Sequence, residues 1–154
     1  MADNVRMKRF ALATGVLGIL IAAAALRAQT SQVPTITVVR DTGCGCCLSW
    51  VAHLQKAGFR TTVAESPNRP ATSKVPPALR SCHTGTVDGY LIEGHVPMAD
   101  IKNLLQTRPK VLGIAAPGMP SGSPGMEMPG GAVQPYDVIA FDAAGKTSVF
   151  AQHR

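Results

Sequence analysis

One stretch near the start of this chain limits what it can fold into. Thr35-Ile36-Thr37-Val38-Val39 is rich in β-branched residues and reads as a strand. Trp50, Val51, Leu54 and Ala57 then recur at helical spacing, with Gly58 placed as a C-cap. Phe59–Val63 reads as a second strand. A strand–helix–strand unit favours a parallel pair joined by a right-handed crossover. Between the first strand and the helix lies Thr42-Gly43-Cys44-Gly45-Cys46-Cys47, which holds three of the four cysteines. This order puts the thiols at a helix N-terminus, where the helix dipole favours thiolate over thiol. A thiolate is both a nucleophile and a soft-metal ligand, so the site is expected to do redox chemistry or to hold metal.

The remaining chain extends the α/β pattern. Ala64 to Pro77 is polar and carries four prolines, which marks a connection, and Pro77–Arg80 reads as one helical turn. Val87–Glu93 reads as a third strand, and Pro97 opens a helix running to about Thr107. Met98, Ile101, Leu104 and Leu105 form the apolar face of that helix. Val111–Ala115 is apolar without a clear period. Pro117–Pro135 is a long loop of Gly, Pro, Ser and Met, and loops of that length in a compact domain tend to be functional or disordered. Tyr136–Phe141 and Thr147–Ala151 read as a hairpin around Ala143-Ala144-Gly145. The expected fold class is α/β: a sandwich of thioredoxin-like type, with a small mixed sheet, flanking helices and a long Met/Gly/Pro-rich loop.

At 154 residues the expectation is one such domain, over 35–154, behind a short leader at 29–34. The first 28 residues have a different character. Arg6, Lys8 and Arg9 precede an uncharged apolar run from Phe10 to Leu26, and Leu26-Arg27-Ala28 ends in a small residue. This is the pattern of a secretory signal cleaved after Ala28, with an uncleaved N-terminal anchor as the alternative. Either way the domain lies outside the cytosol, with membrane contact only through this segment. Without these residues 11 basic and 8 acidic side chains remain, a net charge of +3, from a full-chain +6. The basic residues are scattered, with little aromatic interleaving, which argues against nucleic-acid binding. No carboxylate pair, phosphate-cradling Gly loop or Ser-His-Asp order is evident either.

Cys44 and Cys47 stand in the C-x-x-C spacing of thioredoxin-like redox sites. Cys46 complicates that reading, because a third thiol beside Cys47 competes for the disulfide. Vicinal cysteines cannot both easily face one tetrahedral ion, but bridging thiolates can hold two or more Cu(I) ions, which are soft and accept low coordination numbers. Cys82, in Ser81-Cys82-His83-Thr84, belongs to a segment that abuts the first helix in a thioredoxin-like fold. It takes the place of that fold's usual cis-proline loop. Cys82 and His83 are thereby offered to the cluster, and a structural disulfide is the alternative role for Cys82. His95 reads as a helix-start histidine rather than a ligand, His53 as structural, and His153 receives no role. Met119, Met126 and Met128 follow neither helical nor strand periodicity, and thioethers are soft ligands that survive oxidising conditions. Flexible gap-filling is the competing role for them.

Together these motifs resemble the CopG-like family of secreted copper-resistance proteins, long described as a domain of unknown function. The resemblance is carried by Thr42–Cys47 with Trp50, by Leu79–Thr84, by Asp88-Gly89-Tyr90, and by Ile92–Pro97. It continues through Pro117–Pro120, Gly122–Glu127 and Pro135–Val138. It spans about Thr35 to His153. It implies a thioredoxin-like fold, periplasmic location, and copper as the bound metal. It carries metal ligation onto Cys44, Cys46, Cys47 and Cys82, and also onto His83, Met119 and Met126. One departure is visible: Ser66–Thr72 is short and proline-broken where the family has a longer helix-forming stretch, which speaks against a second helix there. The expected function is a periplasmic protein holding Cu(I) in a thiolate cluster for resistance or trafficking, in exchange with other periplasmic copper-handling proteins. The alternative is a thiol–disulfide oxidoreductase using Cys44 as nucleophile and Cys47 as resolving thiol.

Overall fold

The computed structural model describes residues 33–154. The segment read as a signal or anchor, and most of the leader, lie outside the described residues. Among the described residues, no helix is long and apolar enough to cross a membrane.

The first strand, β1, is Thr35–Arg40, with Ile36, Val38 and Arg40 buried and Thr35 and Thr37 exposed. Gly43, at φ +76°, turns the chain into helix α1, Gly45–Lys56. Helix α1 buries Cys47, Trp50, Val51 and Leu54 and returns through Gly58 to β2, Arg60–Glu65. β1 and β2 are parallel, in the expected crossover unit. Two short 3-10 turns, Pro70–Lys74 and Pro77–Leu79, occupy the connection, so no second α-helix forms there. Pro76 and Pro77 each disfavour helical backbone at the residue before them, and Val75 is extended, so the first turn cannot run on into a longer helix.

The expected strand Val87–Glu93 is corrected to a hairpin. β3 is His83–Val87 and β4 is Tyr90–Gly94, paired antiparallel from Thr84↔Glu93 to Val87↔Tyr90. Asp88 and Gly89 both have positive φ, +47° and +87°, as a two-residue type I′ turn demands. Asp-Gly is a strong hairpin signal, and reading through it as one strand concealed β3. Helix α2, Met98–Thr107, follows, then β5, Gly113–Ala116, which overlaps the apolar run Val111–Ala115. β6, Tyr136–Phe141, and β7, Thr147–His153, complete a mixed sheet ordered β2-β1-β3-β4-β5-β6-β7. The loop between β5 and β6 spans 117–135, as its composition foretold.

Both helices share one core with one face of the sheet. Trp50, Val51 and Leu54 of α1 and Ile101 and Leu104 of α2 meet Ile36, Val38, Val87, Ile92, Ile114 and Val138 there. On the other face Leu91, Ala115 and Phe141 pack with Val75 and Leu79 from the 3-10 region. The two helices therefore flank one face of the sheet, and the 3-10 turns cover the second. Trp50 is fully buried and its Nε1–H donates to Val96 O at 2.9 Å. It lies over Gly85, where a Cβ would come within 3.3 Å of the indole Cη2 and 3.1 Å of Ile36 Cγ2. Trp50→Phe should cost about 1–3 kcal/mol, because the Val96 carbonyl loses its donor in a dry site. Urea unfolding measures this, and an unchanged midpoint would mean the indole contributes only bulk.

A candidate soft-metal centre at the start of helix α1

Helix α1 begins on a cysteine. Cys44 is its N-cap, and the Cys47 N–H donates to Cys44 Sγ at 3.3 Å. Cys44 and Cys47 are joined in a disulfide, with Cα atoms 5.5 Å apart. Cys46 and Cys82 are free thiols. Cys46 Sγ lies 3.5 Å from Cys44 Sγ, and Cys82 Sγ lies 3.2 Å from Cys47 Sγ. All four sulfurs lie within 4.8 Å of one another. Cys82 arrives by sheet pairing: Arg40 of β1 stands opposite His83 of β3, and the Asp41 N–H donates to Cys82 O at 2.9 Å. No cis peptide bond occurs among the described residues.

Two imidazoles border the sulfurs. His83 and His95 are fully buried, edge to face, with ring centroids 4.9 Å apart, and His83 also packs on Trp50 at 4.4 Å. His83 Nε2 donates to Gly94 O at 2.9 Å, and His95 Nδ1 donates to Pro124 O at 2.8 Å. A carbonyl can only accept, so these bonds assign each ring's hydrogen. The other nitrogens, His83 Nδ1 and His95 Nε2, stand 3.6 and 4.0 Å from Cys82 Sγ. Burial, and then the neighbouring His95, push the His83 pKa down to about 3. Burial likewise lowers that of His95. Burial raises the Cys82 thiol, partly opposed by a hydrogen bond from Ser81.

A polar clamp beneath the sheet holds the two cysteine loops together. Arg69 Nε donates to Asp41 Oδ1 at 2.9 Å, Nη1 to Thr84 Oγ1 at 3.2 Å, and Nη2 to Ser81 O. The buried Glu93 accepts from the Ser81 N–H and from the Thr84 hydroxyl, both at 2.6 Å, and lies 3.6 Å from Arg69. Burial raises the Glu93 pKa. On the helix face, Arg40 Nη1 donates to Cys44 O at 3.0 Å and Nη2 pairs with Glu65.

The structure thus brings Cys44, Cys46, Cys47, Cys82 and His83 together, as the sequence reading expected. His95, read above as a helix-start residue, is drawn into the same group, because the β3–β4 hairpin ends beside it. The methionines divide. Met119 and Met128 are 45% and 69% exposed, on the loop rather than in the buried cluster. Met126 is half-buried in the segment that rests on α1. A Cβ on the adjacent Gly125 would fall 2.8 Å from Cys46 O and 2.7 Å from Trp50 N, so only glycine permits that approach. His53 pairs with Glu127 at 2.8 Å and helps hold the loop to the helix. His153 pairs with Asp100 and stacks on Tyr136, away from this cluster. Sequence reasoning passed over Arg40, Arg69 and the clamp role of Glu93, since single charged residues on separate elements carry no spacing signal.

A mixed α/β sheet presenting four sulfurs and two imidazoles at one helix N-terminus defines a protein with a candidate soft-metal centre. Two solved structures named copper resistance protein CopG are similar to it. Form 2 is 43% identical, with 80% of this chain and 100% of that chain covered and a TM-score of 0.74. Form 1 is 45% identical, with 77% and 96% covered and a TM-score of 0.72. The chain belongs to the CopG family. Residues 79–126 also match a family described as "Protein of unknown function, DUF411". No match is found among curated proteins.

The buried histidines dictate an acid response. Unfolded, His83 takes its proton near the ordinary pKa of 6.5; folded, it resists protonation until about pH 3. The unfolded state binds more protons in that window, so stability is full above pH 6.5 and is lost as pH falls toward 3. His95 acts in the same sense, whereas Glu93, with its raised pKa, gains on mild acidification. His83→Gln isolates the His83 share. Between pH 7 and pH 4 the metal-free wild type should lose about 3 kcal/mol more than the variant in denaturant titrations.

Proposed function

We propose that this chain is a periplasmic copper-binding protein that holds Cu(I) in a cysteine-thiolate cluster, for copper resistance or trafficking. The observation that carries this reading is the convergence of four sulfurs within 4.8 Å at the N-terminus of α1. Cu(I) prefers such soft donors, and bridging thiolates accommodate several ions. The donors are Cys44, Cys46, Cys47 and Cys82, with His83 beside them and Met126 on the covering loop. The names of the similar solved structures support copper as the cargo. The signal-like first 28 residues support export, and exchange with other periplasmic copper-handling proteins follows from that location. We read β1–α1–β2 followed by the β3–β4 hairpin and α2 as a thioredoxin-like core, since it joins a parallel pair to an antiparallel pair around a cysteine-headed helix.

The Cys44–Cys47 disulfide bears on how the cluster forms. Two electrons and two protons must enter that bond before both sulfurs can serve as thiolate donors after deprotonation. Burial keeps Cys82 protonated at neutral pH, so loading releases protons and weakens as the solution is acidified.

A second reading, thiol–disulfide oxidoreductase, draws on one specific distance. Cys82 Sγ stands 3.2 Å from Cys47 Sγ. Attack by a Cys82 thiolate on Cys47 would form a Cys47–Cys82 disulfide and release Cys44 as thiolate, with electrons balanced. Disulfide exchange by metal-free protein, abolished by Cys44→Ser, together with weak copper affinity, would favour this reading.

Anaerobic titration of fully reduced protein should give more than one Cu(I) per chain, and Cys46→Ser or Cys82→Ser should lower that number. Zero stoichiometry with all thiols reduced removes the copper reading. Replacing Met119, Met126 and Met128 together by Leu preserves apolar volume and removes only the sulfurs. That variant should keep the stoichiometry but load more slowly or oxidise faster. Unchanged loading and oxidation rates would assign the methionines to loop filling.

A further inference from the structure

We infer that Cys82, His83 and His95 form a second metal site, of nitrogen–sulfur chemistry, that takes one borderline divalent ion of the Zn(II), Co(II) or Cu(II) class. Its donor atoms lie within 4.8 Å of one another and share only Cys82 with the four-sulfur set. The inference does not rest on the Cu(I) reading.

The geometry of the two imidazoles carries the argument. Each ring donates its one hydrogen to a backbone carbonyl, Gly94 O for His83 and Pro124 O for His95. This is how ligand histidines are held: a second bond on the far nitrogen sets tautomer and ring orientation. Both remaining lone pairs then point at the same sulfur, from 3.6 and 4.0 Å. Around an ion with M–N of about 2.0 Å and M–S of about 2.3 Å, adjacent trigonal donors stand roughly 3.7 Å apart. The two nitrogen–sulfur spacings bracket that value. Both rings are fully buried and Cys82 is partly accessible, so an ion enters from the Cys82 side, where Ser81 Oγ lies 3.8 Å from the sulfur.

The mixed donor set selects a different ion from the sulfur cluster. Imidazole with a single thiolate suits Zn(II), Co(II) and Cu(II), whereas clustered thiolates select Cu(I). The two sites also differ in their response to oxidation. The Cys44–Cys47 disulfide removes two donors from the sulfur cluster and none from the nitrogen–sulfur site. The oxidised protein therefore keeps a metal site.

Cys46→Ser with the Cys44–Cys47 disulfide intact leaves Cys82 as the sole free thiol, and Co(II) is the probe. One Co(II) per chain should bind, with thiolate-to-cobalt charge-transfer absorption and paramagnetically shifted N–H resonances from two imidazoles. Adding Cys82→Ser should abolish the charge-transfer band, and adding His95→Gln should weaken binding about tenfold or more. Absence of the band in the Cys46→Ser protein overturns the inference, as does a band without shifted imidazole resonances. If His95→Gln fails to fold by near-ultraviolet circular dichroism, the Cys82→Ser and resonance arms decide alone. A failed Cu(I) titration of reduced wild type leaves this outcome untouched, because the test is made on the disulfide form.

Discussion

The antiparallel pairing of β1 with β3 is the constraint on which the centre depends. Arg40 stands opposite His83, and the Asp41 N–H bonds to Cys82 O one step further on. That register brings the Cys82 thiol, 35 residues along the chain from Cys47, to within contact of it, a separation of roughly 115 Å were the chain fully extended at about 3.3 Å per residue. Side chains alternate along a strand, so a slip of one residue would turn His83 away from Trp50 and expose it to the opposite face. The same register aims Thr84 downward, onto Glu93 and Arg69. One pairing therefore assigns the imidazole to the metal side and the hydroxyl to the clamp.

The centre is surrounded by buried polar groups whose burial is costly unless they are paired. Glu93 is fully buried and is satisfied by Ser81, Thr84 and Arg69. The Thr84 hydroxyl donates to Glu93, accepts from Arg69 and lies 2.8 Å from Thr72 Oγ1. His83 and His95 each use one nitrogen on a carbonyl and direct the other at sulfur. Such a network rigidifies a site when every member is satisfied. Here it ties the loop of Asp41 to the loop of Ser81, so the cysteines on both loops are held by groups that carry no sulfur.

The covering loop shows how composition serves position. Its glycines and prolines prevent regular structure, and Gly125 lets its backbone touch the first turns of α1. His95 grips it at Pro124 O, and His53 at Glu127. Met126 lies between these two anchors, while Met119 and Met128 stand in solvent. Three methionines that look equivalent in a sequence window thus occupy different environments.

Local chemistry was legible from residues alone. β-branched runs, helical spacing after a cysteine turn, and a Gly/Pro loop each follow from the conformational limits of those residues. They foretold β1, α1, β2, α2 and the 117–135 loop. The Asp88-Gly89 turn was legible too, and reading past it merged two strands into one. What only the tertiary structure decided is everything that depends on strand partners. His95 joined the group because β4 pairs with β3; Arg69 and Glu93 became a clamp because the second face of the sheet buries both. Sequence spacing determines which side chains share an element, but long-range backbone pairing determines which elements share a site.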